Sequence, residues 1–189
     1  MKKIIVVIFC VILVFFIYIF TKDNKVLYFK VSDYRYNNED KRVINYLDNK
    51  NLLEDYVIYE NLDNYRVIDL INDIKNNKKI NYKNKKYNIN NLLVKSELIV
   101  LDIGHSDFLY YQSKDNDMYD YINEILNDFE NLFILIRKNT KENIIMIFDY
   151  NIDIEYRNYL YERLKIKAEK YNINVIKADK LLKYVKSIY

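Results

Sequence analysis

"SELIVLDIGHSDFLYY", residues Ser96–Tyr111, joins an apolar run to the one glycine of the chain, Gly104, and to its one histidine, His105. At average usage a chain of this length would carry about a dozen glycines. A single glycine in a chain without proline points to a backbone position that tolerates no side chain, through positive φ or close approach. "ELIVLDI" (Glu97–Ile103) reads as a buried strand, so Gly104-His105-Ser106-Asp107 opens the loop at its carboxyl end. In α/β sheets that is where chemistry collects.

Outward from this stretch the sequence alternates strand-like and helix-like segments. Upstream, "VLYFKV" (Val26–Val31) and "YVIY" (Tyr56–Tyr59) are β-prone, and Asn38–Lys50 reads as a helix. Val67, Leu70, Ile71 and Ile74 recur at helical spacing within Arg66–Asn77, and "INNLLVKS" (Ile89–Ser96) is a short helix. The lysine- and asparagine-rich "KKINYKNKKYN" between them reads as a solvated connection. Downstream, Met118, Ile122, Ile125, Phe129, Leu132, Phe133 and Ile136 hold a 3.6 period across a helix of about Asn116–Asn139. "NIIMIFDY" (Asn143–Tyr150) is a strand buried on both faces, and a helix from Asp153 to about Tyr171 follows. The strand Ile173–Ala178 and a helix Asp179–Ser187 complete the pattern. The expectation is an α/β fold, a three-layer α/β/α sandwich on a mostly parallel sheet.

The N-terminus carries a different signal. Lys2 and Lys3 precede "IIVVIFCVILVFFIYIF", Ile4–Phe20, an unbroken apolar run of 17 residues, at the lower limit for spanning a bilayer as a helix. No small-residue cleavage pattern follows at Tyr18–Thr21, so residues 1–24 read as an uncleaved signal anchor, a transmembrane helix. Residues 25–189 then form one domain. The two leading lysines place that domain on the extracytoplasmic side of a single-pass membrane protein.

Composition narrows the function classes. A hydrophobic share of 51% beside a charged share of 30% belongs to a globular domain. The 21 tyrosines accompany an abundance of Lys, Asn and Ile that looks like AT-rich codon bias, so they do not by themselves mark a binding surface. A net charge of +3, spread along the chain, supplies no electrostatic footprint for nucleic acid. With Cys10 as its one cysteine the chain can build neither an internal disulfide nor a cysteine zinc site. Asp102, His105 and Asp107 do not have the spacing of a metal-ligand set, and nothing calls for a cofactor. The basic, tyrosine-interleaved Lys75–Lys86 segment is compatible with lipid headgroups or a cell-envelope polymer as partner, or with simple solvation.

"KSELIVLDIGHSDFLY" resembles the third conserved block of the SGNH/GDSL hydrolases, in which a strand and a G-x-N-D loop supply an oxyanion-hole asparagine. Two further segments align in order. "LYFKVSD" (Leu27–Asp33) stands where that family has a strand ending in G-D-S, which puts Ser32 at the nucleophile position. "NLDNYRVIDLINDI" (Asn61–Ile74) is similar to the second block, with Asn64 at the glycine that donates an oxyanion-hole N–H. The resemblance implies the sandwich fold and ester-hydrolase ancestry, with Gly104, Ser106 and Asp107 as the oxyanion-loop positions.

The departures bear on the chemistry. G-D-S reads Lys30-Val31-Ser32, the asparagine is Ser106, and the D-x-x-H block expected after the last strand has Asp179 but Leu182 in place of the base. Without a base a serine hydroxyl is a weak nucleophile. A lost oxyanion donor costs a further 10²–10³-fold or about 3–4 kcal/mol. The expectation is a catalytically degenerate SGNH-like domain serving as a binding or scaffold module at the cell envelope. The alternative is an atypical hydrolase of lipid or envelope-carbohydrate acyl esters, in which His105 serves Ser32 as substitute base.

Overall fold

A computed structural model describes residues 25–30, 39–60, 64–113, 117–148 and 154–189. Five strands make one parallel sheet: β1 (Lys25–Lys30), β2 (Asp55–Tyr59), β5 (Ser96–Asp102), β6 (Asn143–Ile147) and β7 (Ile173–Ile176), in the order β2-β1-β5-β6-β7. β5, the strand of the quoted stretch, lies at its centre, paired with β1 on one side and β6 on the other.

The central strands alternate between two cores. Leu27 and Phe29 of β1, Ile99 and Leu101 of β5, and Ile144 and Met146 of β6 enter one core. Val26 and Tyr28, Leu98 and Val100, and Ile145 and Ile147 enter the other. Period-2 geometry sends successive side chains to opposite faces, so strands covered on both faces must be apolar throughout. Full burial of each such Leu, Ile or Phe contributes about 1.5–3 kcal/mol.

Two helices cover one face: α1 (Glu39–Asn49), through Val43 and Leu47, and α7 (Leu181–Ile188), through Leu181 and Val185. Opposite them lie α2 (Val67–Lys75), α3 (Ile89–Lys95), α4 (His105–Gln112), α5 (Met118–Asn139) and α6 (Ile154–Glu169). This split follows from right-handed crossovers. The chain steps one way from β1 to β2 and the other way from β2 through β5, β6 and β7, so its crossover helices fall on opposite faces. The expected stripe of α5 is buried from Ile122 to Ile136, as are Val67, Leu70, Ile71 and Ile74 of α2.

Two segments differ from their sequence reading. The lysine-rich connection is an antiparallel hairpin, β3 (Lys79–Tyr82) with β4 (Lys85–Asn88), closed by Lys83 at φ 47 and Asn84 at φ 62. Two positive φ values at a two-residue loop make a type I′ turn. The usual signature of that turn, Asn-Gly, is missing, which is why the strands do not show in the sequence. The second difference is at the quoted stretch, where His105 begins a helix rather than a loop. Only Phe108 and Tyr111 of α4 are buried apolar residues, too few to show a helical period.

Boundaries shift slightly elsewhere. β7 ends at Ile176, and a 3₁₀ turn (Ala178–Lys180) precedes α7. Among the described residues no helix is long and apolar enough to cross a membrane. The anchor expected over residues 1–24 lies outside them.

Candidate functional site

The sheet order reverses between β1 and β5. From there crossovers leave toward opposite faces, and in open α/β sheets a ligand crevice forms at the carboxyl ends of such a strand pair. The register pairs Lys30 with Asp102 at this edge. The Lys30 ammonium lies 3.4 Å from the Asp40 carboxylate at the start of α1. Asp102 is buried, and two residues on Gly104 turns the chain into α4 with φ 109 and ψ −12. A side chain there would crowd the backbone, so the one glycine of the chain marks a steric necessity.

His105, Ser106 and Asp107 are consequently the first turn of α4. His105 is half-buried, Ser106 is buried, and Asp107 is almost fully buried. The Asp107 carboxylate accepts a hydrogen bond from the Val67 N–H, at 3.1 Å to one oxygen and 3.3 Å to the other. Val67 is the first residue of α2, whose opening amides have no partner within the helix. The preceding amide, Arg66 N–H, is taken by Asp69 at 2.9 Å. Two carboxylates thus serve the positive end of α2, one from its own first turn and one from α4. Asn64, three residues before Val67, is exposed and left-handed at φ 57. The Val67–Asp107 bond therefore joins the start of α2, which Asn64 precedes by three residues, to the first turn of α4 that Gly104 opens.

Burial pushes the Asp107 carboxyl up to about 7, against the Val67 N–H and the Arg66 charge, which pull it down. Arg66 organises the outer rim. Its guanidinium lies 4.2 Å from the centre of the Tyr110 ring, and its charge opposes the burial that raises Asp128. Tyr111 stacks on Tyr121 at 4.7 Å and donates to Glu124 at 3.0 Å. Behind it, Tyr65 and Tyr59 donate to Asp73 at 2.6 and 3.0 Å, and Lys78 reaches the same carboxylate at 2.8 Å. That network fixes α2 against the end of β2. Sequence reasoning missed Arg66, Tyr110 and Asp128, because one arginine and one tyrosine in a chain rich in both carry no local signal.

Ser32 lies outside the described residues, as does Asp153, the expected start of the helix after β6. Asp179 is 64% exposed in the 3₁₀ turn and paired with Lys180 at 2.8 Å. Among the described residues no group of three or more His, Cys, Asp or Glu side chains could hold a metal ion. No protein-family model and no curated protein matches the chain.

Chemically, the described rim offers a buried carboxylic acid, a half-buried imidazole, a buried hydroxyl and a cation on an aromatic plane. Of these, His105, Arg66 and Tyr110 reach solvent, whereas the Asp107 carboxyl is engaged by the Val67 N–H. Acyl transfer would further require a nucleophile held against a base.

Proposed function

We propose that this chain is a membrane-anchored, extracytoplasmic domain of SGNH/GDSL-hydrolase type that has lost hydrolysis and acts as a binding or scaffold module at the cell envelope. The observation that carries the reading is the Asp107–Val67 hydrogen bond, which ties together the two loops aligned with the family's oxyanion blocks. The strand order and the left-handed φ of Asn64 at the aligned glycine position support it. Loss of chemistry is supported by the exposure of Asp179, by Leu182 three residues on, and by the absence of any second histidine in the chain. The apolar run Ile4–Phe20 supports the anchor.

The test is hydrolysis of a short-chain nitrophenyl ester by the full-length chain in mild detergent, beside Ser32→Ala and His105→Ala. The expected result is one background rate for all three. A wild-type rate that drops 10²-fold or more in both variants would establish the hydrolase alternative, with His105 as base to Ser32.

A further inference from the structure

The amino edge of the sheet, opposite the rim described above, carries its own site. Lys25 from β1, Lys79 from β3, Lys86 from β4 and Lys95 from the end of α3 line one open groove, together with Tyr87 and Asn91. No carboxylate lines it. The hairpin that forms one wall belongs to Lys75–Lys86, a segment with six lysines and no acidic residue. Lys25 is buried and pairs with Asp55 at 3.4 Å, so the exposed cations of the groove are Lys79, Lys86 and Lys95. At the hairpin tip the Lys83 ammonium sits 3.9 Å from the centre of the Tyr56 ring and 5.3 Å from that of Tyr82.

We infer that this groove and hairpin are a docking face for the phosphate headgroups of anionic phospholipids in the membrane that holds the anchor. The inference rests on the anchored reading above, and covalent reach then does the rest. Five Cα steps separate Phe20, the end of the apolar run, from Lys25, so Lys25 lies within about 17 Å of the hydrocarbon boundary. The headgroup zone fills roughly 5–8 Å of that distance. Lys25, at the edge of the groove, is therefore held within about 9–12 Å of the lipid headgroups, little more than the Debye length of about 8 Å at physiological salt. Lysines so placed are attracted to an anionic surface, each strengthening contact about fivefold. Tyrosines beside them suit the same interfacial layer. β5 separates the two edges by roughly 20 Å at 3.3 Å per residue, so docking leaves the Gly104 rim uncovered.

Amide hydrogen exchange of the full-length chain in nanodiscs tests this. One set contains 30% phosphatidylglycerol in phosphatidylcholine, the other phosphatidylcholine alone. Exchange in residues 79–88 should slow at least fivefold in the anionic discs and return to the zwitterionic rate in 0.5 M salt. The variant Lys79→Gln/Lys86→Gln/Lys95→Gln should lose the slowing, while α5 amides, its folding control, stay unchanged. Equal hairpin exchange in both lipids overturns the inference. So does equal slowing by 10 mM inorganic phosphate over phosphatidylcholine discs, which would make the groove a site for free anions. An alkaline wash of the membranes reads the anchor separately. Release of the chain overturns anchor and docking together, whereas retention with equal hairpin exchange removes docking alone.

Discussion

Asp107 and Val67 stand forty residues apart in sequence, yet the carboxylate of one accepts the backbone amide of the other at 3.1 Å. The bond closes the end of α2 with a side chain from α4, inside the protein, where an amide left without a partner is costly. Asp107→Ala should lower stability by about 1–3 kcal/mol in urea unfolding, and Asp107→Asn, which keeps an oxygen acceptor, by much less. Equal losses in the two variants would mean that the bond itself contributes little.

The same residue sets a pH dependence. Its folded pKa of about 7 lies above the ordinary 3.8, so between these values the folded protein holds a proton that the unfolded chain has released. Stability from this group is then fully present at the acid end of that window and lost as pH rises toward 7, by on the order of a few kcal/mol. Asp107→Asn should flatten this part of the profile and gain on the wild type between pH 4 and pH 8. Parallel profiles for the two proteins would show that Asp107 is ionised throughout.

Gly104→Ala should cost about 1–3 kcal/mol, because the side chain meets the backbone at φ 109. Gly104→Asn should recover little of it, since the left-handed well open to asparagine lies near φ 57. Thermal unfolding of the three proteins reads the difference; an unaffected alanine variant would mean that the turn can relax.

The hairpin tip offers the opposite case. Asn84 has φ 62 as the second residue of a type I′ turn, the position where glycine is most at ease. Asn84→Gly should hold or raise stability by up to about 0.5 kcal/mol, while Asn84→Val should lower it by 1–2 kcal/mol. A destabilising glycine would indicate that the Asn84 side chain makes contacts of its own.

Arg137, near the end of α5, donates to three backbone carbonyls: Tyr171 at 2.5 Å, Asn172 at 2.6 Å and Glu142 at 2.7 Å. The planar guanidinium spans the turn after α6 and the entry to β6, a geometry that one ammonium cannot copy. Arg137→Ala should cost about 2–3 kcal/mol, and Arg137→Lys should restore less than half of it in chemical unfolding. Full rescue by lysine would reduce the role of Arg137 to its charge.

Much of the fold is legible in the sequence because its strongest signals are physical necessities. α5 must present Ile122, Ile125, Phe129 and Phe133 along one stripe to fill the core, and β6 must be apolar on both faces because helices cover both. The hairpin and α4 are not legible for an equally physical reason. Lys83 and Asn84 adopt turn angles that their identities do not announce, and eight residues with two buried apolar side chains are too short to show a period. Within the rim, Gly104 stands out by rarity alone. The partner that Asp107 reaches is a backbone amide, a group that every residue but proline carries, so only the fold can reveal it.

Among the described residues, five asparagines and one lysine take positive φ, at Asn51, Asn64, Asn77, Lys83, Asn84 and Asn172, all between 48 and 62 except Lys83 at 47. Gly104 alone stands at 109. The scarcity of glycine thus acts as a steric filter: the ordinary left-handed turns are filled by residues with a Cβ, and glycine stays where none fits. In most proteins glycines are too numerous for any one of them to be informative. Here a single letter marks the one described position whose positive φ lies far outside the well open to other residues, and it lies at the mouth of the sheet.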